Sequence, residues 1–289
     1  MPPRELQDLI RSLVAAELGS GSRLLDVATL QESSRGVVLR LEVSGSPGPL
    51  VLTLTGADHA RTAAVVGLAR AAGVPVPDVV AVGDGYLLRA HVEGTEWHRL
   101  RPQLDHDAVR AVHRRFAETL LAIQSVTMAS FGELDHQGSP AGHSQVEALH
   151  RRADLRIEDA ASRDLFHAVL DRDADLYAAG RPTLVHDDLH HGNVLLGQEA
   201  GEWRVTGVLD WEKAWAGPSE SDVARMAFWD GMTGPGFWQV YRAAVPADDG
   251  YARRALVHQL LWCLEYDDGT ARHARDTAAV RAALGIASD

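Results

Sequence analysis

Between residues 184 and 213 the chain spaces acids, imidazoles and an amide in a way that suits a reaction centre. The apolar runs Leu184-Val185 and Val194-Leu195-Leu196 can anchor in a sheet, and the segment between them, His186-Asp187-Asp188-Leu189-His190-His191-Gly192-Asn193, is polar. Asp188 is a carboxylate that can orient a hydroxyl and take its proton. Asn193, five positions on, offers an oxygen to a hard cation, and the β-like run Val205-Thr206-Gly207-Val208-Leu209 ends in a second acid, Asp210. A base beside two oxygen ligands for magnesium is what phosphoryl transfer needs, since the cation neutralises phosphate charge while the base readies the nucleophile. The crowding of His186, Asp187, Asp188, His190 and His191 also fits a His/Asp metal centre for hydrolysis. That centre lacks a well-defined partner elsewhere in the sequence, so phosphoryl transfer is the favoured chemistry.

Elements that position this segment follow from periodicity. Leu6, Leu9, Ile10, Leu13 and Val14 predict a helix over residues 3–18. Residues 37–43 and 50–54 are short β-branched and aliphatic runs split by Ser44-Gly45-Ser46-Pro47-Gly48-Pro49, which predicts a hairpin. A helix over 57–72, stopped by Gly73 and Pro75, precedes a second hairpin over 79–82 and 86–91. From Gly94 onward the pattern turns helical: 105–126, one or two helices over 146–179, then 222–228, 238–244 and 252–265, with the strand-like stretch 184–210 between them. Gly197 to Gly201 predict the turn of a hairpin within that stretch, and residues 92–96 read as a hinge too short to be a flexible linker.

Composition sets limits. The chain has 289 residues, enough for two lobes, and a net charge of -12, which argues against a partner that is a nucleic acid. The single cysteine, Cys263, lies in an apolar helical stretch and rules out an internal disulfide. The opening residues hold no apolar signal core and no run has the length of a membrane span, so a cytoplasmic protein without a membrane partner is expected. Lys213 is the only lysine among 28 basic residues, a bias that suggests a genome of high G+C content.

His186, Asp188 and Asn193 match the kinase catalytic loop H-R-D-x-x-x-x-N, and Asp210 falls where the aspartate of D-F-G would be. The whole segment resembles the aminoglycoside phosphotransferase and choline kinase superfamily, whose loop reads H-G-D-x-H-x-G-N before a strand ending I-D-W or I-D-F. Asp187 replaces the usual glycine, and Gly217-Pro218-Ser219-Glu220-Ser221-Asp222-Val223-Ala224 is similar to the family's G-D-P-x-x-D-L-A. The likeness is specific over 184–224 and loose from about residue 30. It implies an α+β, bilobal protein-kinase-like fold, with a β-rich nucleotide-binding lobe over 1–92 and a mostly helical lobe over 93–289. It further implies ATP or GTP as donor, Mg2+ on Asn193 and Asp210, Asp188 as base with His186 beside it, and Asp222 bracing the loop.

Departures from the family lie in the first lobe. Thr53 stands where the strand lysine should be, and the helix Ala60-Arg61-Thr62-Ala63-Ala64-Val65 lacks the partner glutamate. Either the chain has lost nucleotide chemistry, or a base on a neighbouring strand replaces the lysine: Arg40 first, Arg89 second. Lys213 reads as a surface residue. Ser33 and Ser34, before Gly36, are candidates to meet phosphate, as is Thr53. The resemblance places a small hydroxylated substrate between the catalytic loop and the last helices, with Glu212, Asp230, Glu265 and Asp268 as candidate carboxylates for it. An antibiotic is the expected acceptor, with a sugar, amino-alcohol or nucleoside as the alternative, and a catalytically inactive ligand-binding protein as the rival from another class.

Overall fold

A computed structural model describes residues 4–34, 36–178, 180–229, 231–266 and 269–286. Its first part is a five-stranded antiparallel sheet in the order β1-β2-β3-β5-β4, built from β1 (Leu24–Ser33), β2 (Gly36–Val43), β3 (Leu50–Thr55), β4 (Val79–Gly83) and β5 (Tyr86–Ala90). Helix α1 (Arg4–Leu18) packs Ile10 and Val14 against Leu39, Leu41, Leu52 and Leu88, so alternate residues of the central strands face it. The other face carries the rows Arg40–Val51–Arg89 and Val38–Thr53–Leu87, paired across β2, β3 and β5. Both predicted hairpins are present. Strand β1 has no apolar alternation because it is an edge strand, exposed along nearly its whole length.

Helix α2 (His59–Ala71) starts where Asp58 accepts the amide of Arg61, and ends at Gly73, whose φ of 80° suits glycine. It follows the first sheet in sequence but buries Val65, Val66 and Ala69 in the core of the second part of the molecule. That core also contains Trp97, Val112, Phe116, Leu120, Leu184, Val194 and Val208. Thus α2 ties the first sheet to the strands that carry the polar loop.

The remaining elements are mostly helical. They are α3 (Trp97–Leu100), α4 (His106–Gln124), α5 (Gln145–Arg156), α6 (Ala160–Arg172), α7 (Glu220–Phe228), α8 (Pro235–Ala244), α9 (Tyr251–Glu265) and α10 (Ala271–Ala283). Helix α4 buries Val112, Phe116, Leu120 and Ile123 along the stripe expected from their spacing. Helix α10 was not among the expected ones, having a single buried residue, Val280, to mark its inner side. No described helix is long and apolar enough to cross a membrane. The chain is therefore an α+β fold with a β-rich first part and a helical second part.

Two small sheets frame the polar loop. One has β6 (Thr95–Glu96), β9 (Val194–Glu199) and β10 (Glu202–Val208) in the order β10-β9-β6. The other has β7 (Gly132–Glu133), β8 (Thr183–Val185) and β11 (Trp215–Gly217) in the order β7-β11-β8. The segment around Gly94 is held against the first of these: a Cβ on Gly94, which has φ 159°, would lie 2.4 Å from Thr206 Oγ1 and 2.9 Å from Leu195 Cβ. Glycine lets the backbone approach where β10 bulges at Thr206. Gly94→Ala is expected to lower stability by about 1–3 kcal/mol, read as a lower urea midpoint, and Thr206→Ala in the same chain should recover part of it.

Candidate active site

The polar segment 186–193 leaves β8 and enters β9, and four hydrogen bonds close it into a ring with the end of β10. His186 donates from Nε2 to the Leu209 carbonyl (2.8 Å), and Leu209 donates its amide to the Asn193 carbonyl (2.8 Å). Asn193 donates from Nδ2 to the Asp188 carbonyl (3.0 Å), and Asp188 returns its amide to Nδ1 of His186 (3.1 Å). Asp188, Asn193 and the residue after Leu209, Asp210, are thereby brought together. With Nδ2 engaged, the Asn193 amide has its oxygen left to offer a cation. Both nitrogens of His186 are occupied, which removes it as a metal ligand, and Nδ1 of His190 accepts the Gly192 amide (3.0 Å). Among the described residues no cluster of three His, Cys, Asp or Glu side chains is placed to hold a metal, which speaks against the hydrolytic His/Asp centre. Burial pulls His186 and His190 each down to about 4, so both are neutral near pH 7.

Two residues of the site sit in left-handed backbone, Asp187 and Asp210, each at φ 62°. Asp187 stands where the resembled family has glycine, and its conformation is held from three sides. Asp222, fully buried at the start of α7, accepts the amides of His186 (2.9 Å) and Asp187 (2.7 Å). Burial pushes the Asp222 carboxyl up to about 7 against these donors, which favour its charged form. Ser221 donates its hydroxyl to the Asp187 carboxylate (3.0 Å). Arg152, only 1% exposed, pairs with both Asp187 and Glu133. Burial works to raise the Asp187 carboxyl, but the Arg152 guanidinium overrides it and holds the group well below its usual value. Glu133 is shared with Arg61 of α2 (3.0 Å), so a chain of charges joins that helix to the loop.

The carboxylate of Asp188 is fixed by cations. Arg225 of α7 contacts Oδ1 at 2.5 Å, and Lys213 Nζ lies 3.7 Å from Oδ2, outside hydrogen-bond range. Lys213 is not the surface residue its composition suggested: it is 13% exposed and lies between Asp188, Glu265 and the ring of Tyr266. Asp210 is exposed to water. The protein packed around it, then the charges of Asp188 and Glu212, push its carboxyl up to about 6.

The remaining candidates separate. Arg40, Thr53 and Arg89 share the sheet face opposite α1. Arg40 is committed to Glu42 on its own strand (2.8 Å) and is about one-third exposed. Arg89 is more enclosed: burial pulls it down from its ordinary value while the charge of Asp210 opposes that shift, so it lies within electrostatic reach of the loop. Ser33 and Ser34 are exposed at the tip of the β1–β2 hairpin, where Ser33 donates to the Gly36 carbonyl (3.4 Å). Glu265 is turned inward onto Lys213 (3.2 Å) and Arg156 (3.6 Å), so it is not offered to an acceptor. Glu212 is exposed beside Asp210. Asp230 and Asp268 lie outside the described residues. Arg152, Glu133 and Arg225 were not singled out in the sequence. An aspartate in a glycine's place was the one available signal that a buried cation had to exist.

Residues 31–257 match the sequence model of the phosphotransferase enzyme family, APH, and the chain belongs to that family. It has no significant match among curated proteins. The fold is shared with the crystal structure of aminoglycoside phosphotransferase APH(4)-Ia (TM-score 0.71, 20% identity, 98% of this chain and 100% of that one). It is shared also with a protein assigned as a fructosamine-3-kinase from Thermobifida fusca YX-ER1 (TM-score 0.69, 23% identity, 96% and 98%). A ternary complex of APH(4)-Ia with AMP-PNP and hygromycin B gives TM-score 0.70 at 20% identity, covering 96% of this chain and 98% of that one.

Arg152→Met should cost about 3–5 kcal/mol in chemical unfolding, because Asp187 is left buried without its cation. Asp187→Gly combined with Arg152→Met should recover much of that loss. For His186, the folded value lies below the unfolded one, so its contribution to stability is present above about pH 6.5 and lost as pH falls towards 4. Nitrogen-15 spectra at pH 5.5 should show a neutral ring with the proton on Nε2.

Proposed function

We propose that the chain transfers the γ-phosphoryl group of ATP or GTP to a hydroxyl of a small molecule, with Asp188 as base and Asn193 and Asp210 as ligands of Mg2+. The observation that carries this reading is the closed hydrogen-bond ring, which sets a carboxylate, an amide oxygen and a second carboxylate in one cleft. Asp210 and the Asn193 oxygen are hard donors, and magnesium usually takes few protein ligands, completing its shell with phosphate and water. Burial and then the charges of Asp188 and Glu212 raise the Asp210 carboxyl, and a divalent cation beside it would oppose both. Magnesium there would neutralise charge on the transferring phosphates.

The steps assigned to the chain's own groups follow from the geometry. Arg225 engages Oδ1 of Asp188, which leaves Oδ2 for the acceptor hydroxyl. As that hydroxyl oxygen bonds to the γ-phosphorus, its proton passes to Asp188, and the bond between the γ-phosphorus and the β–γ bridging oxygen breaks to release the nucleoside diphosphate. Arg89 takes the role of the missing strand lysine by binding phosphate, ahead of Arg40, because it is coupled to Asp210 rather than paired to a glutamate. Thr53 lies one row along the same face and can add a hydroxyl donor. His186 acts through the loop it cross-links. An antibiotic is the acceptor class we favour, since related folds are bound to hygromycin B and to streptomycin with ATP. The fructosamine-3-kinase neighbour favours a sugar-type acceptor as the second reading.

Asp188→Ala should reduce transfer by about 10²–10⁴-fold in a coupled nucleoside-diphosphate release assay, with nucleotide binding retained. Arg89→Ala should weaken nucleotide binding more than Arg40→Ala does. A chain whose melting temperature is unmoved by ATP or GTP, with and without magnesium, would instead be the inactive ligand-binding relative that Thr53 in the lysine's place suggests.

A further inference from the structure

The lone lysine of the chain stands at the oxygen of Asp188 that the proposed chemistry leaves open. Lys213 precedes β11 by two residues, and β11 pairs Trp215 with Val185, the last residue of β8 before the polar loop. Two arginines pin this stretch of backbone: the Lys213 carbonyl accepts from Arg152 (2.8 Å), and the Ala214 carbonyl accepts from Arg61 (2.5 Å). The Lys213 ammonium lies 4.2 Å from the centre of the Tyr266 ring and donates to the Tyr266 hydroxyl. It is 3.2 Å from the Glu265 carboxylate and 3.7 Å from Oδ2 of Asp188. Its charge also acts on Asp210, working against the rise of that carboxyl, so it is within electrostatic reach of both proposed active carboxylates.

The two cations at Asp188 are held differently. Arg225 is in contact with Oδ1, whereas Lys213 is kept by Glu265 and Tyr266 at a distance from Oδ2 too long for a hydrogen bond. One oxygen spans that gap, lying about 2.7 Å from Oδ2 and about 2.9 Å from Nζ. An ammonium has three donors, of which Tyr266 and Glu265 engage two. A hydroxyl oxygen has one proton and two lone pairs. Held only through its proton on Oδ2, it can turn about that bond. A second bond, from Nζ, fixes one lone pair and so directs the other at phosphorus, the orientation that in-line attack requires.

We infer that Lys213 is a catalytic residue of the proposed transfer, holding the acceptor oxygen jointly with Asp188; this rests on the phosphoryl-transfer reading above. The acceptor oxygen bonds to the γ-phosphorus through its free lone pair while its proton passes to Oδ2. The bond from the γ-phosphorus to the β–γ bridging oxygen breaks, and the nucleoside diphosphate leaves with that electron pair. Lys213 keeps its own protons throughout. Glu265, which the sequence pattern suggests for the acceptor, instead helps to set where Lys213 stands.

Water is the smallest acceptor that this pair can hold, so the test needs no identified substrate. Phosphate release from ATP and GTP with magnesium is measured on the full chain and on Lys213→Met, with AMP-PNP affinity and melting temperature alongside. In Lys213→Met the kcat should fall about 10–100-fold, with AMP-PNP affinity unchanged. Lys213→Cys supplies a second route: alkylation with bromoethylamine rebuilds an amine of lysine's length, and iodoacetamide leaves a neutral amide. Cys263 is buried and its thiol is pushed up to about 11, which keeps it out of that reaction at about pH 8. The amine should restore most of the lost turnover and the amide should not. On the unaltered chain, a crystal of the ADP, magnesium and fluoroaluminate complex should show the axial water bonded to both Asp188 and Lys213. Full turnover in a folded Lys213→Met chain, a loss confined to nucleotide affinity, equal restoration by amine and amide, or an axial water without Lys213 overturns the inference. So does a chain that binds AMP-PNP with magnesium and releases no phosphate. If AMP-PNP with magnesium fails to bind, it is the phosphoryl-transfer reading that falls.

Discussion

A neutral imidazole buried between two segments sets the geometry on which the candidate site depends. His186 accepts the Asp188 amide at one nitrogen and donates to the Leu209 carbonyl from the other, which only one neutral tautomer can do. Full burial makes the charged form costly and so keeps that tautomer in place. Through Leu209 and Asn193 the same imidazole fixes where Asp210 leaves β10 and where the Asn193 amide lies. A substitution that alters any one of these bonds therefore disturbs the proposed base and both proposed cation ligands together.

Around this ring the chain has exchanged backbone freedom for charge. Glycine would adopt the left-handed conformation at position 187 without strain, whereas aspartate there costs on the order of 1–3 kcal/mol and adds a buried charge. Arg152 neutralises that charge, Ser221 and Asp222 satisfy the remaining polar groups, and Glu133 carries the network onward to Arg61 on α2. Helix α2 thus presents Arg61 to the second part of the molecule. Arg89, on the strand paired with the one that carries Thr53, lies within electrostatic reach of Asp210.

The parts of this arrangement that were legible in the sequence are those encoded by local spacing. His186, Asp188, Asn193 and Asp210 fall within twenty-five consecutive residues flanked by apolar runs, and their strands and turn form as the pattern indicated. Asp222 was legible because its short motif follows closely. Arg152, Glu133 and Arg225 come from helices and a two-residue strand whose meeting is purely tertiary. Lys213 was misjudged because its neighbours in space, Glu265 and Tyr266, are more than fifty residues away in the chain. Strand β1 was hard to see because an exposed edge carries no apolar alternation. Glu265 looked like a carboxylate for a substrate until the fold showed two cations already on it.

These features bring the proposed base, Asp188, and the proposed cation ligands, Asn193 and Asp210, to one side, opposite the sheet face that carries Arg89, the proposed phosphate site. A crystal structure of the full chain with AMP-PNP and magnesium tests that claim most directly. The account predicts magnesium bound by the Asp210 carboxylate and the Asn193 oxygen, with the Arg89 guanidinium on a phosphate and Asp188 facing the γ-phosphorus. Nucleotide bound away from that face, or magnesium held by other residues, would contradict it.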